Sequence, residues 1–219
     1  MEMKDARARI GYALCGSFCT LKKMIDQMET LALAGYDIVP IMSANTYSTD
    51  TRFGTAESFR ERVENICGRP VLHTLAEVEP FGPKKLLDLL VVAPCTGNTL
   101  AKIANGVSDS AVSLAVKAHL RNERPVLIAV SSNDALSGNA KNLGVLMNTR
   151  HIYFVPFGQD DAIKKPTSLV AKSEMIPEAV EAALKGEQIQ PLLMYKVYIY
   201  ISVGGNAADL MLQNEHPRE

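Results

Sequence analysis

Two periodicities alternate along this chain. Arg9–Leu14 (RIGYAL) is a short apolar run. After a turn-like break at 15–20, Leu21, Met24, Ile25, Met28 and Ala32 recur at helical spacing, and Gly35 stops the pattern. Asp37–Met42 predicts a second strand, with Pro40 marking an edge position or an early end. Thr55–Cys67 is helical, with Phe59, Val63 and Ile66 on one face and Gly68 as the C-terminal cap. Val71–Thr74 predicts a brief third strand. Leu89–Ala93 (LLVVA) and Pro125–Val130 (PVLIAV) are continuous apolar runs of the kind that parallel strands show when both faces are covered. Asn98–Ala104, Ser110–Leu120, Gly138–Met147 and Ser173–Leu184 predict helices, and His151–Val155 a last strand. Strand–helix alternation of this kind predicts an α/β fold on a parallel sheet, in strand order 3-2-1-4-5-6. Tyr195–Val203 alternates, is rich in tyrosine, and predicts an antiparallel or edge strand followed by polar residues. The reading therefore divides the chain into a main domain, 1–194, and a C-terminal extension, 195–219.

Composition narrows the chemistry. The 219 residues carry 23 Lys+Arg against 24 Asp+Glu, without the basic excess that nucleic-acid binding usually requires. No apolar run approaches membrane-helix length. The first residues, MEMKDARARI, lack the apolar core of a signal peptide, so a cytoplasmic protein is expected. Cys15, Cys19, Cys67 and Cys95 form no CxxC pair and no zinc-site spacing. They read as free thiols, and no metal is expected.

In open parallel sheets, ligands bind beyond the carboxyl ends of the strands. Here those ends are Cys15–Thr20, Ser43–Tyr47, His73–Leu75, Pro94–Asn98, Ser131–Gly138 and Phe157–Thr167. Most are rich in Ser, Thr, Asn and Gly, which suits a polar ligand with a phosphate and heterocycle edges. Gly16-Ser17-Phe18 precedes a helix N-terminus, whose free N–H groups and positive dipole can hold one anion. It is neither a GxGxxG fingerprint nor a Walker loop.

The segment Ala93-Pro94-Cys95-Thr96-Gly97-Asn98-Thr99-Leu100-Ala101-Lys102, continuing through Ala104, Gly106 and Asp109, is more specific. It resembles the APxxxNTxAKxAxGxxD signature of the flavin-binding family that includes the cysteine decarboxylases of coenzyme A biosynthesis and lantibiotic maturation. The resemblance covers residues 8–185 and includes the GSF turn, Ser43, and PVLIAVSSN. It implies a Rossmann-like, doubly wound three-layer α/β/α fold with a six-stranded parallel sheet. It also implies FMN as cofactor, with Gly16, Ser17, Phe18, Ser43, Pro94, Thr96, Asn98, Thr99, Ser131 and Ser132 around it. Asn98 and Thr99 equally suit plain helix capping. Where decarboxylating relatives carry PxMNxxMW, this chain keeps only the asparagine, Asn133, which disfavours cysteine decarboxylation. Asn133, Lys102 and His73 are the catalytic candidates.

The run SSNDALSGNAKNLGVLMNTRHIYFVPFGQDDAIKKPTSLVAK narrows the resemblance to a branch found in spore-forming bacteria. That branch implies a small dicarboxylate substrate, oxidation of a dihydropyridine to its aromatic ring, and a separate nicotinamide-binding protein as partner. It leaves open a non-catalytic role supporting that partner, and a decarboxylase of another small acid. Lys164-Lys165 after Asp160-Asp161 is either a solvated charge run or a mobile lid bringing cations to an acidic ligand. The family resemblance and the apolar helix Ala111–Leu120 together predict a homo-oligomer built on trimers.

Overall fold

The structure, a computed structural model, describes residues 7–194 and the backbone of 199–203 and 206–210. Strand β1 (Arg9–Leu14) lies between β2 (Asp37–Met42) and β3 (Leu89–Cys95), and β3 pairs in turn with β4 (Val126–Ser132), all in parallel. β5 (Ile152–Phe154) extends the parallel sheet along the first half of β4. The last two residues of β4, Ser131 and Ser132, pair antiparallel with β7 (Lys165–Ala171), which pairs with β6 (Phe157–Asp161). The open edge of β5 is closed by a side chain: Gln188 accepts from Phe154 N at 2.7 Å and donates to Phe154 O at 2.8 Å, standing in for a further strand.

The expected strand order is present, but the third strand shrinks to a single bridge of Leu72 on Ile41. The reason is local. The backbone N–H groups of His73 and Thr74 donate to Glu77 Oε2, both at 2.9 Å. They serve the capping box that starts α4 (Leu75–Val78) instead of a ladder. The six-stranded parallel description is therefore approximate: the sheet has seven strands, two of them an antiparallel hairpin. The hairpin occupies the stretch read from sequence as a loop.

α1 (Phe18–Leu33) packs on one face of the sheet through Leu21, Met24, Ile25, Met28 and Leu31, all buried. The fully buried Tyr12 hydroxyl on β1 donates to Met24 O at 2.9 Å, so this polar atom is satisfied within the core. α3 (Ala56–Cys67) begins at the Thr55 cap and ends at left-handed Gly68, as its sequence predicts.

α6 (Gly97–Ala104) and α7 (Ala111–Leu120) follow β3. α7 buries seven of its ten residues within the chain itself, against α4, α5 (Phe81–Lys84), α6 and the sheet. Its apolar sequence therefore needs no neighbouring copy to cover it, and that argument for an oligomer does not hold. The exposed large apolar side chains at or beside the hairpin include Leu136, Met147, Ile163 and Leu193. α8 (Ala140–Met147) and α9 (Ile176–Leu184) complete the layers. Beyond residue 194, β8 (Ile199–Val203) and β9 (Asn206–Leu210) form a separate antiparallel pair. The earlier part of the predicted strand, 195–198, and the polar end, 211–219, lie outside the described residues.

Candidate functional site

The carboxyl ends of β1, β3 and β4 open, together with the β6–β7 hairpin, onto a cleft of about 910 Å³. This is within the usual range for small-molecule and cofactor sites. Its two sides differ chemically because neighbouring residues of β4 point to opposite faces.

On one side Ser131 meets the first turn of α1. Ser17 Oγ lies 2.8 Å from Ser131 Oγ, and Thr20 Oγ1 lies 3.1 Å from each of them. Ser17 is the N-cap of α1, yet its side chain makes no capping bond, and the first turn carries no acidic residue. Three rotatable hydroxyls thus gather at the positive end of a long helix, an arrangement suited to an anion such as a phosphate.

On the other side Ser132 meets α6. Ser132 Oγ donates to Asp134 Oδ1, and Asn139 Nδ2 donates to Asp134 Oδ2 at 2.6 Å. Behind them Asn142 Nδ2 donates to Asn139 Oδ1 at 2.8 Å, and Asn105 Nδ2 to Asn142 Oδ1 at 3.2 Å. The bond from Ser132, with help from Asn139, holds the Asp134 carboxyl below its ordinary range. Gly97, the first residue of α6, packs on this group. A Cβ there would sit 2.5 Å from Ser132 Oγ, 2.6 Å from Asp134 Oδ1 and 2.7 Å from Asn139 Nδ2. Glycine at this position is a matter of close approach. Cations also line the cleft: Lys23, Arg52, Lys165 and Lys172. Lys165 Nζ lies 2.5 Å from Asp160 Oδ2 across the hairpin.

Of the residues singled out from sequence, Gly16, Ser17, Phe18, Thr96, Asn98, Ser131, Ser132 and Asn133 line this cleft. Asn133 is also pinned through its backbone, its carbonyl accepting from Thr167 Oγ1 of β7 at 2.7 Å. Ser43, Pro94, Thr99, Lys102 and His73 lie elsewhere. Ser43 caps α2 (Ala44–Ser48), accepting from Thr46 N. Pro94 is buried within β3. Thr99 is buried and donates to Cys15 Sγ at 3.4 Å. The cap of α6 is Thr96, which accepts from Thr99 N, so neither Asn98 nor Thr99 fills that role. Lys102 Nζ is held by Asp109 at 2.8 and 3.0 Å. His73 stacks on Tyr47 with ring centroids 3.6 Å apart, its Nδ1 3.6 Å from Glu77 Oε2.

Sequence reasoning missed Lys23, Arg52, Asp134 and Lys172. Asp134 stands inside the SSND turn it did single out, but the partner that fixes it, Asn139, comes from the next turn. The cysteines divide by burial. Cys15 and Cys95 are fully buried, which pushes the Cys15 thiol up to about 11 and the Cys95 thiol well above its ordinary value. Cys19 is exposed at the cleft.

The protein-family comparison matches the flavoprotein model over residues 1–182. The dipicolinate synthase B subunit of Bacillus subtilis is 45% identical over 186 residues, covering 85% of this chain and 93% of that protein. The crystal structure of the dipicolinate synthase B subunit from Bacillus halodurans superposes with a TM-score of 0.80 at 44% identity, over 89% of this chain and 100% of that one. Burkholderia xenovorans DmrB, solved in complex with FMN as a cubic protein cage, shares the fold: its TM-score is 0.60 at 19% identity, over 83% of this chain and 98% of that one.

Proposed function

Because this chain belongs to the flavoprotein family, we propose that it is the B subunit of a dipicolinate synthase that binds FMN in the cleft. Paired with the enzyme's A subunit, it would act as an oxidoreductase on a small dicarboxylate, the dihydrodipicolinate precursor, in the cytoplasm of the mother cell of a sporulating bacterium. The observation that carries this reading is the hydroxyl cluster of Ser17, Thr20 and Ser131 at the start of α1. It fits a single phosphate and not the pyrophosphate of a dinucleotide, whose glycine-rich turn is missing here.

FMN would supply hydride acceptance as the dihydropyridine becomes aromatic. The chain's own residues bind and orient. Ser17, Thr20 and Ser131 hold the phosphate. Gly16, Phe18, Thr96 and Asn98 wall the cleft, and Asn133 offers an amide that can both donate and accept. Lys23, Lys165 and Lys172 supply positive charge for a substrate carboxylate. Lys102, bound to Asp109 and not among the residues lining the cleft, is less suited to that task.

Residues 1–194 carry this function. The extension 195–219 is an appendage to it, a division supported by the Bacillus halodurans chain, which is matched over its whole length by 89% of this one. The chain assembles as a homo-oligomer of trimers, with the exposed apolar side chains around Leu136, Met147 and Leu193 as the surface to be covered.

The test is to purify the chain, reconstitute it with flavins, and identify the released flavin by mass spectrometry. Dipicolinate formation is then assayed with and without the A subunit. FMN recovery and activity only in the pair support the reading; FAD alone, or no flavin, sinks it. A second reading, a non-catalytic protein that activates the A subunit, is favoured by one observation: among the described residues no histidine lines the cleft. Undiminished activation of that partner by flavin-free chain would select it.

A further inference from the structure

The α6 side of the cleft holds a built acceptor that the reading above does not use. Every donor in the amide chain points the same way, from Asn105 through Asn142 and Asn139 to Asp134. Asn139 and Asn142 are buried, so these amides are locked by one another. Reversing any one would set acceptor against acceptor. The turn holds the backbone as well: Ser137 N and Asn139 N donate to Asp134 O at 3.0 and 3.1 Å.

The result is a carboxylate whose position is fixed from behind while the group itself lines the cleft. Each of its oxygens takes one bond from the protein and keeps acceptor capacity. A fixed negative charge there repels a carboxylate or phosphate and accepts an N–H. The cleft is thus polarised: anions are drawn to the hydroxyls of Ser17, Thr20 and Ser131 and to the lysines, and the N–H edge of a heterocycle is drawn to Asp134.

We propose that Asp134 is a specificity-determining residue that takes the ring N–H of the bound heterocycle, with Asn139 and Asn142 as its positioning residues. This rests on the reading that the heterocycle is FMN. Oxidised flavin has a single ring N–H, its imide, so the imide is the group Asp134 would hold. The bond forms without any transfer of charge or proton.

The test uses the full-length chain and two probes, FMN and FMN methylated at the imide nitrogen, titrated by quenching of flavin fluorescence. The wild-type chain is expected to bind the methylated probe on the order of 10- to 100-fold more weakly, the range of a hydrogen bond to a charged group. Asp134→Ala is expected to bind both probes alike. Asn139→Ala is expected to narrow the difference, because the carboxylate loses its fixed position.

The probe ratio is read at equal concentrations of folded protein, so a loss of stability does not move it. The wild-type comparison needs no variant at all. Equal affinities in the wild type, or an unchanged ratio in Asp134→Ala, overturn the inference and leave FMN binding intact. Failure of the wild type to bind FMN itself is a different result, and removes the FMN reading and the inference together.

Discussion

Replacing Gly97 with alanine tests the carboxylate cluster through the backbone that touches it. The added methyl would lie 2.5 to 2.7 Å from three polar atoms, Ser132 Oγ, Asp134 Oδ1 and Asn139 Nδ2. None is the free end of a flexible chain, because each is bonded to another member of the cluster. The methyl must therefore displace the carboxylate from Ser132 or from Asn139, or shift the start of α6. A hydrogen bond to a charged group is worth roughly 1.5–3 kcal/mol, toward the low end here because the carboxylate is partly exposed. Alanine recovers up to about 1 kcal/mol of helix propensity. The net expectation is a loss of about 0.5–1.5 kcal/mol, a fall of roughly 1–6 °C in melting temperature for a domain of this size.

The control is Gly144→Ala in the exposed middle of α8, where a Cβ meets nothing within 4 Å. The same substitution there should stabilise by up to about 1 kcal/mol. Thermal melting of the two variants side by side decides the matter. If Gly97→Ala melts at or above the wild type, the close packing on Asp134 is not a constraint. Flavin fluorescence on the same samples should show weaker binding for Gly97→Ala only.

His119 is buried, with no hydrogen-bond partner at Nε2. Burial, aided by Arg124, lowers it from 6.5 to about 4. The folded chain resists a proton that the unfolded chain accepts, so stability should fall by up to about 3 kcal/mol as pH drops from 6.5 toward 4. Urea melts across that window should show the slope, and His119→Gln should flatten it. Asp134 adds an acid loss of the same sign: its depressed value gives stability that is present above the unfolded range and fades as pH falls through the folded one. Asp134→Asn should therefore shallow the lowest part of the curve. Iodoacetamide should label Cys19 in the native chain, while Cys15 and Cys95 react only on unfolding. Tryptic mapping that finds Cys95 modified first would contradict its burial. Finally, Lys102→Ala should leave dipicolinate affinity unchanged, whereas Lys172→Ala should weaken it several-fold by calorimetry. The reverse result would put the substrate's cation on α6.

The parallel layers were legible because buried strands such as LLVVA and PVLIAV have no polar position to confuse the period. The hairpin was not, because Gln159, Asp160, Asp161, Lys164 and Lys165 crowd its turn and hide the alternation of the flanking residues. Val71–Thr74 has a strand's composition, but His73 and Thr74 give their backbone donors to Glu77, a competition that only the folded turn displays. Within the cleft, residues contributed by strand ends were readable from their place after an apolar run. Lys102 was misleading: helical spacing put it one turn beyond Asn98, and nothing in that spacing reveals the claim of Asp109. Lys23, Arg52 and Lys172 come from a helix and from loops that the sheet folds over the site, and they carry no local signature.

The β6–β7 hairpin is joined to the sheet through Ser131 and Ser132, the same two residues whose side chains serve the two sides of the cleft. Whatever orders those serines also orders the ladder that anchors the hairpin. By linkage, a ligand that bound more tightly with this ladder formed would favour the ladder in the same measure as the ladder favoured the ligand. A partner protein that gripped the hairpin would tighten the cleft without touching the ligand. A ligand that settled the serines would likewise prepare the hairpin for its partner.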